Sequence, residues 1–531
     1  MKKKGTISIV LATILFAAVY YYITLPAINI HSAEVWYFLF VVEIIAGVLY
    51  VAKKKIPKEQ LRTSKGVKFF VGLLIVMLAI YGVGSLLSSE IINAKKYQQL
   101  LTVKEGEFTK DIQEVSYNQI PLLDRASAEL LGDRKMGSMS NMVSQFEVDE
   151  IYTQINYNDR PVRVSPLRYA STIKWFTNMK SGIPAYIKID MANQATEMVM
   201  LEEGMKYSTC EHFNRNIYRH LRFAYPTYIF EDLSFEIDEE GTPYWVAPVK
   251  KFNIGLFGGV TIGRVVLCNA ITGEMVDYAI EDVPQWIDRA YSAELLVNLY
   301  DYHGTLKHGF INSVLGQKDC LQTTNGYNYL AIDDDVWVYT GVTSVNSDQA
   351  NVGFVLMNQR TMETKYYPIA GAIEDSAMAS AEGQVQHLNY TATFPLLLNI
   401  SGEPTYFIAL KDHAGLVKKY AMVNVQKYQL VATGDTVANC EAQYNELLLS
   451  SGVKEKEEDT REILTIKGKI TKIAQAVIDG TSHYYIMVEG SKDIFDVSVV
   501  DYIDIIRYEV GDKVTIEYKE GAKTNAVLSL K

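Results

Sequence analysis

Residues 241–250 read GTPYWVAPVK, an order typical of a turn that opens a β-strand. Gly241 supplies the positive φ of the turn, because it has no Cβ to clash. Pro243 fits the first strand residue, where its missing N–H removes no essential ladder bond. The alternation that follows predicts a half-buried strand with Trp245 on its core face.

The same Gly-x-Pro-x-aromatic pattern occurs twice more, at Gly182-Ile183-Pro184-Ala185-Tyr186 and Gly402-Glu403-Pro404-Thr405-Tyr406. Each copy opens an alternating strand, and a helical stretch precedes it, at 166–180, 211–223 and 374–388. A turn and another strand follow, as at Thr272-Gly273-Glu274. We therefore predict an internal repeat of helix, strand, turn, strand, turn, strand.

The copy at 211–280 combines Tyr225-Pro226, the Gly241–Trp245 segment and Thr272-Gly273-Glu274. This combination resembles the PepSY family of small modules, and the copies at 166–200 and 374–428 match more loosely. The resemblance implies a helix laid across an antiparallel sheet. It also implies a non-catalytic, extracytoplasmic module that binds or restrains other envelope proteins, including peptidases.

The remaining sequence completes a multidomain α+β prediction. Residues 327–339, 351–357 and 365–369 read as further strands of the same sheet system. Residues 91–131 read as helix and the Gly/Met/Ser-rich residues 131–144 as a loop, so residues 91–150 are a juxtamembrane helix and linker. The repeats then occupy 151–445, a charged linker 446–461, and five short strands within 462–531 predict a small OB-like β-barrel.

Residues 1–90 contain three segments long and apolar enough to span a bilayer, at 5–30, 35–52 and 69–89. No small-x-small cleavage site follows the first, which argues against a signal peptide. Seven Lys or Arg lie between the second and third segments and none between the first and second. The positive-inside bias then predicts a multi-pass protein of the cell membrane, with a cytoplasmic amino terminus and extracytoplasmic domains after residue 89.

Glu43 lies near the middle of the second segment, where an ionised carboxylate costs about 2.5–3.5 kcal/mol. Two interpretations stay open: a contact to a partner helix, or a neutral carboxyl bonded to the hydroxyl of Tyr21 or Thr24. Gly82 and Gly84 in the third segment permit close helix approach and are the other candidate partner contacts.

Charge excludes one class of partner. The chain has 531 residues and a net charge of −11, and residues 1–68 contain ten Lys or Arg against three Glu. The remaining 463 residues therefore carry −18. Such a surface repels phosphate backbones, so we expect no nucleic acid as a partner. The spanning segments imply membrane lipid, and the resemblance to PepSY modules implies an envelope protein.

Catalytic and metal-binding patterns do not emerge from the sequence, so we assign no catalytic, cofactor-binding or metal-ligating residue. Cys210, Cys268, Cys320 and Cys440 are widely spaced, which favours buried single thiols. His212 and His220 lack the i, i+4 spacing of a metal-binding helix. The run 333–335 of three Asp reads as a turn or strand start, and residues 255–259 as a hairpin turn.

Three functions follow from these patterns. The first is a non-enzymatic bacterial-type membrane protein whose large extracytoplasmic region binds or regulates another envelope protein. The second is an enzyme that acts on the cell wall or its polysaccharides through an unrecognised acid pair. The third is an accessory subunit of a membrane transport or secretion assembly, with Glu43 and the glycines of the third segment as its docking surface.

Overall fold

The structure is a computed structural model that describes residues 2–114, 120–345, 350–453, 463–478, 481–499, 502–519 and 524–531. It divides into two compact units, Met1–Ser450 and Ser451–Lys531. The first contains three long apolar helices and a mixed α+β region. The second is a small β-barrel.

The first unit begins with α1 (Lys2–Thr24), α2 (Ala33–Lys54) and α3 (Lys65–Leu87). All three are long and apolar enough to cross a membrane, and few of their side chains are buried. They suggest a membrane anchor, as predicted. We call the end of this bundle formed by Thr24, Ala33 and Leu87 the docking end, because the α+β region (residues 90–450) contacts it there.

The chain after α3 is less helical than predicted. It forms α4 (Glu90–Gln98), β1 (Val103–Glu105) and α5 (Phe108–Asp111), and α6 (Arg125–Gly137) follows. The prediction of a helix over 91–131 is therefore wrong, because Val103 pairs in parallel with Thr364 of a distant strand. The loop expected at 131–144 is also wrong in part, since α6 continues to Gly137. Residues 115–119 lie outside the described part.

The first sheet contains β2 (Phe146–Val148), β3 (Thr153–Asn156), β4 (Pro161–Tyr169), β5 (Ile183–Asp190) and β6 (Thr196–Met205). The strands β3 to β6 form an antiparallel meander, and β2 extends the edge of β4 beyond β3. Helix α7 (Thr172–Asn178) lies between β4 and β5. Residues 166–169, expected as helix, are strand because β4 pairs on both sides and is buried almost throughout.

The second sheet follows α8 (Ile217–Ala224) and contains β7 (Ser234–Ile237), β8 (Pro243–Ile254), β9 (Gly258–Asn269) and β10 (Met275–Ala279). It is also an antiparallel meander. One face, with Trp245 and Ala247, shares a core with the first sheet. The opposite face, with Val246 and Val265, packs against the third sheet and the helix that precedes it.

The third sheet follows α9 (Ala293–Thr305) and contains β11 (Leu321–Thr323), β12 (Asn328–Ile332), β13 (Asp335–Ser344), β14 (Ala350–Asn358), β15 (Thr364–Tyr367) and β16 (Gly371–Ala372). The strands predicted at 327–339, 351–357 and 365–369 are confirmed here. The strands β12 to β15 form a meander, and β11 extends the edge of β13. The strand β1 pairs with β15.

The fourth sheet follows α10 (Glu374–Gln384) and contains β17 (Thr391–Ala392), β18 (Leu396–Ile400), β19 (Glu403–Lys411), β20 (Val417–Asn424) and β21 (Val431–Gly434). The strands β18 to β21 form a meander, with β17 beyond β18 on the edge of β19. Helix α11 (Val437–Ser450) packs on β20 and β21 and includes residues 446–450 of the expected linker. Residues 454–462 lie outside the described part.

The four sheets share one plan. In the described residues, a helix precedes an edge made of two short strands, which is followed by three further strands; in the second sheet a bridge from Phe230 to Val249 replaces the first short strand. The last strand is the shortest of the three in every sheet except the first, where β6 has ten residues. The sequence revealed three copies, whereas the region repeats the plan four times. The additional copy lies at residues 293–367. The copy expected at 166–200 begins inside β4, so the repeat there starts earlier, at α6. The resemblance of this plan to PepSY modules stays a prediction.

The second unit is a closed barrel of β22 (Leu464–Ile478), β23 (Thr481–Val488), β24 (Phe495–Ser498), β25 (Lys513–Lys519) and β26 (Asn525–Leu530). The predicted small barrel is confirmed. Its order is β22-β23-β24-β26-β25, with β24 and β26 parallel. Ile486, Phe495 and Ile516 fill its interior.

Candidate functional site

The glycines of the repeat motif lie in turns. Gly182, Gly241 and Gly402 have φ of +78°, +84° and +81°, a conformation that glycine adopts without the Cβ clash of other residues. Pro243 is the first residue of β8, and Pro184 and Pro404 are the second residues of β5 and β19. The structure therefore places these residues in the scaffold.

The aromatic residues of the motif are buried and hydrogen-bonded. Tyr186 donates to the carbonyl of Gly241 at 3.0 Å, which joins the first sheet to the second. Trp245 donates through Nε1 to the carbonyl of Tyr207 at 2.9 Å, and Tyr406 donates to that of Ala372 at 2.7 Å. These three rings therefore stabilise the core, and they themselves offer no surface to a ligand.

Glu43 lies at an apolar groove of about 410 Å³ between α2 and α3. Its side chain is 8% exposed, and within the described residues its Oε1 has no hydrogen-bond partner. The Thr24 hydroxyl donates to the carbonyl of Tyr20. Gly82 faces open space, whereas Gly84 is covered by Leu256 of the second sheet. The three candidate contacts therefore do not share one surface.

The hairpin between β8 and β9 docks on the end of α3. Ser88 Oγ accepts the backbone N–H groups of Leu256 at 2.8 Å and Phe257 at 3.1 Å. The Phe257 ring lies 5.0 Å from that of Tyr81. The glycine-rich segment predicted as a hairpin turn is therefore one, and its tip connects the α+β region to the bundle.

Three further contacts join the α+β region to the docking end. His31, between α1 and α2, lies with Nδ1 2.7 Å from the Leu256 carbonyl. Arg222 of α8 is 8% exposed and donates through Nε to the carbonyl of Leu25 at 2.8 Å. The backbone N–H of Ile28 donates to the carbonyl of Pro226 at 2.7 Å. The second sheet and its helix therefore sit directly on the bundle.

An exposed aromatic platform lies beside α8. We define it as Ile173, Trp175 and Phe176 of α7 with His212 and Phe213 of the loop before α8. Ile173, Phe176 and Phe213 are 74%, 71% and 67% exposed. The Trp175 ring lies 4.4 Å from that of His212 and 6.3 Å from those of Phe176 and Phe213. Large apolar side chains so grouped at a surface mark interaction sites.

A buried carboxylate positions the platform. Glu211 is 2% exposed and accepts hydrogen bonds from Trp175 Nε1 and the Tyr169 hydroxyl, both at 2.7 Å. Burial, and then the bond to Glu211, raise the pKa of Tyr169, so this hydroxyl stays a donor. The indole is therefore fixed before any partner arrives.

The backbone of Phe213 is unusual. Its φ is +51°, a left-handed conformation that costs a bulky residue roughly 1–2 kcal/mol. The ring gains little burial in return, since two thirds of it is exposed. Strained residues that present an exposed side chain concentrate at functional sites.

The platform lies close to the membrane bundle. Arg219 donates through Nη1 to the Phe213 carbonyl at 2.9 Å. The same guanidinium lies 4.3 Å from the centre of the Tyr22 ring, in the last turn of α1. One arginine side chain therefore spans the distance from the platform to the docking end.

A second candidate site is a polar groove of about 450 Å³ where the α5 segment meets the first and third sheets. Its lining includes five acidic residues, two lysines and two aromatic rings: Asp111, Glu114, Asp159, Asp333, Asp334, Lys110, Lys365, Trp337 and Tyr367. Burial, then Asp159 and Asp335, raise the pKa of Asp334. The Asp333-Asp334 pair forms the predicted turn before β13, with φ of +51° and +66°.

Metal-ligating side chains stay apart over the described residues, where no three His, Cys, Asp or Glu come together as a metal site. His212 packs on Trp175, whereas His220 Nε2 lies 2.8 Å from the Gly273 carbonyl. All four cysteines are free thiols, and Cys268, Cys320 and Cys440 are buried.

Neither a protein-family model nor a curated protein sequence matches this chain significantly.

The platform was missed in the sequence because its parts are remote from each other there. Residues 173–176 read as part of the predicted helix 166–180, and residues 212–213 as part of the predicted helix 211–223. The local signal is the cluster Ile-Lys-Trp-Phe on a helix of seven residues, too short for a buried apolar stripe.

Proposed function

We propose that the chain is a non-enzymatic integral membrane protein whose large extracytoplasmic region binds and regulates another cell-envelope protein. The exposed aromatic platform carries this proposal. Its tryptophan, phenylalanine and neighbouring arginine are the residue types that dominate binding energy at protein interfaces. Its rigidity lowers the entropy lost on association.

The bundle supports the orientation. The 24–33 connection and the end of α3 both contact the α+β region, whereas the connection from 55 to 64, with its flanking lysines, lies at the opposite end. With the basic loop in the cytoplasm, the α+β region is outside. A membrane-impermeant maleimide should then label Glu202→Cys in intact cells and Glu59→Cys only after lysis; both positions are exposed. The reverse pattern would overturn the orientation.

The partner is proposed to be membrane-embedded. Because the platform is one arginine side chain from Tyr22, a protein that touches it approaches near the bilayer. Confinement of both proteins to one membrane raises their effective concentration, so a small contact suffices.

Photo-crosslinking tests the platform. Replacement of Phe176 by p-benzoylphenylalanine should give a protein adduct in intact cells, and the same replacement of Tyr428, another exposed aromatic residue, should not. The adduct should decrease when Phe213→Ala is added. Adducts at both positions, or an adduct to lipid alone at Phe176, would contradict protein binding by the platform.

The alternative function, hydrolysis of cell-wall polysaccharide, is favoured by the polar groove. A carboxyl with a raised pKa suits a general acid, and Asp334 lies beside a second carboxylate and Trp337. Under this alternative, the purified full chain should release reducing ends from cell-wall polysaccharide, and Asp334→Asn should abolish the release. Activity that survives Asp334→Asn, or no activity at all, would exclude this groove as the active site.

A further inference from the structure

A second exposed apolar feature lies on the α3 side of the docking end. Residues 310–316 form a short helical segment that includes a π-helix over Asn312–Gly316. We call residues 309–316 the apolar loop, and they read Gly-Phe-Ile-Asn-Ser-Val-Leu-Gly. Ile311, Val314 and Leu315 are 74%, 57% and 80% exposed. Three aliphatic side chains so exposed within five residues are unfavourable in water.

Packing carries this loop toward the bundle. Leu101 lies in the core that contains Leu296 and Leu299 of α9. Ala94 and Tyr97, nearer the membrane in α4, instead share a cluster with Leu306 and Phe310. The helices α4 and α9 are therefore antiparallel, and the chain approaches the bundle as it leaves α9.

Contacts of Phe310 place the apolar loop beside the docking end of the bundle. Its cluster includes Ile254, the residue before Gly255, and a Cβ at Gly255 would lie 2.4 Å from Ser88 Oγ. The loop thus lies next to the first residues after α3. Ile91 and Ile92, in the first turn of α4, are themselves 59% and 52% exposed.

These side chains continue the apolar surface of the membrane helix. Leu86 and Leu87, in the last turn of α3, are 54% and 55% exposed, and Ile91 follows one turn later. Residues that flank the loop, Lys307 and Lys318, carry positive charge suited to anionic head groups. Unlike those of the aromatic platform, the most exposed large apolar side chains of the loop are all aliphatic.

We propose that the apolar loop inserts Ile311, Val314 and Leu315 into the interfacial layer of the bilayer that holds the three helices. The occupant of this surface is thus lipid, and the α+β region has a membrane contact separate from its helical anchor. The inference depends on the membrane anchor and not on the proposed binding function.

Fluorescence of the full chain in nanodiscs of phosphatidylcholine and phosphatidylglycerol tests the insertion. A polarity-sensitive dye on Leu315→Cys should emit at shorter wavelength than the same dye on Val276→Cys, a matched exposed aliphatic position on β10. Doxyl-labelled lipid should quench the dye at position 315, and iodide in the buffer should not. The dye at position 276 should instead be quenched by iodide and not by doxyl-labelled lipid. Labelling of the parent chain sets the background from its own thiols.

Two results would overturn the proposal. One is a dye at position 315 that iodide quenches as strongly as at position 276. The other is a dye shielded in native membranes but accessible to iodide in nanodiscs, which would assign the loop to a protein partner. Because Leu315 is 80% exposed, its replacement leaves the core intact.

Discussion

The hydroxyl oxygen of Ser88 lies 2.8 Å from the backbone nitrogen of Leu256, a residue 168 positions later in the chain. This bond connects the end of a membrane helix to the tip of a β-hairpin. It shows that the α+β region is docked on the bundle and not merely tethered to it.

Gly258→Ala should weaken this docking. A Cβ at position 258 would lie 2.3 Å from both the Ser88 carbonyl oxygen and the Tyr97 hydroxyl. Overpacking of this kind costs about 1–3 kcal/mol. Thermal unfolding of the full chain in detergent should show the loss. Gly82→Ala, where a Cβ meets open space, is the control and should unfold like the parent; equal losses in both would refute the docking role.

Stability should fall as pH rises through the weakly acidic range, because of a buried carboxyl pair. Asp288 is 1% exposed, its Oδ1 is unpartnered within the described residues, and Glu236 accepts its backbone N–H. Burial, then the charge of Glu236, raise the pKa of Asp288 well above its usual range. The fold therefore favours the protonated acid. The stabilisation from this protonated carboxyl is complete below the ordinary pKa of an aspartic acid. It is lost as pH rises through the raised pKa of Asp288 in the folded protein.

Asp288→Asn should remove most of this pH dependence. The substitution should stabilise the full chain near pH 7, because the amide carries no charge and needs no proton in the buried site, whereas the folded acid must take up a proton or bury its charge beside Glu236. Unfolding midpoints from pH 4 to 8 provide the measurement. Asp282→Asn, at a nearby exposed carboxyl, should keep the parent profile. An unchanged slope in Asp288→Asn would assign the pH dependence to other groups.

Phe213→Gly should affect stability and binding in opposite directions. Glycine adopts a φ of +51° without the Cβ clash, which should stabilise the fold by about 1 kcal/mol. Loss of the ring should reduce the crosslinking expected at Phe176. Phe213→Ala separates the effects, because it removes the ring and keeps the strain. If both variants crosslinked like the parent, Phe213 would have no role in binding.

The native thiols should resist alkylation. Burial raises the pKa of Cys268 and Cys440 to about 12, so their thiolate fraction at pH 8 is very small. Iodoacetamide should modify these two only after denaturation, and Cys210, which is half-buried, should react first. Mass spectrometry after timed labelling gives the order. A mass two hydrogens lower per pair in unreduced protein would reveal a disulfide and contradict the free thiols.

The C-terminal barrel should fold without the rest of the chain. Its five strands close on their own core of Ile486, Phe495 and Ile516. Residues 451–531 expressed alone should show a cooperative thermal transition by circular dichroism. Phe495→Ala should destabilise it by about 3–5 kcal/mol, the usual cost of removing a buried aromatic ring. A non-cooperative transition in the parent fragment would contradict independent folding.

Features with a local cause were predictable from the sequence. The three apolar helices depend on composition, and the turns at Gly241 and Gly402 depend on conformations that their own residues prefer. The barrel follows from five alternating segments separated by turns. In each case, neighbours in sequence are sufficient to specify the element.

Features that depend on residues distant in the sequence were not predictable from it. The repeat at 293–367 was missed because it contains no Gly-x-Pro segment, and its hairpin turns at Asp333-Asp334 instead. The motif at Gly182 opens β5, one strand later in the plan than those at Gly241 and Gly402, which open β8 and β19. The helix expected over 91–131 ends early because β1 joins a strand more than 250 residues away. The aromatic platform depends on Glu211, which lies 36 residues from Trp175 in the sequence and contacts it only through the tertiary structure.

The contacts of Ser88, His31 and Leu25 have a mechanical consequence. Ser88 and His31 both contact Leu256 at the hairpin tip, and Leu25 contacts Arg222 of α8, so the α+β region is held at two separate places and cannot pivot freely about either one. The position of Phe176 relative to the bilayer then depends on the tilt of the three helices. A change in that tilt, for instance in a thicker bilayer, would then move the aromatic platform together with the helices.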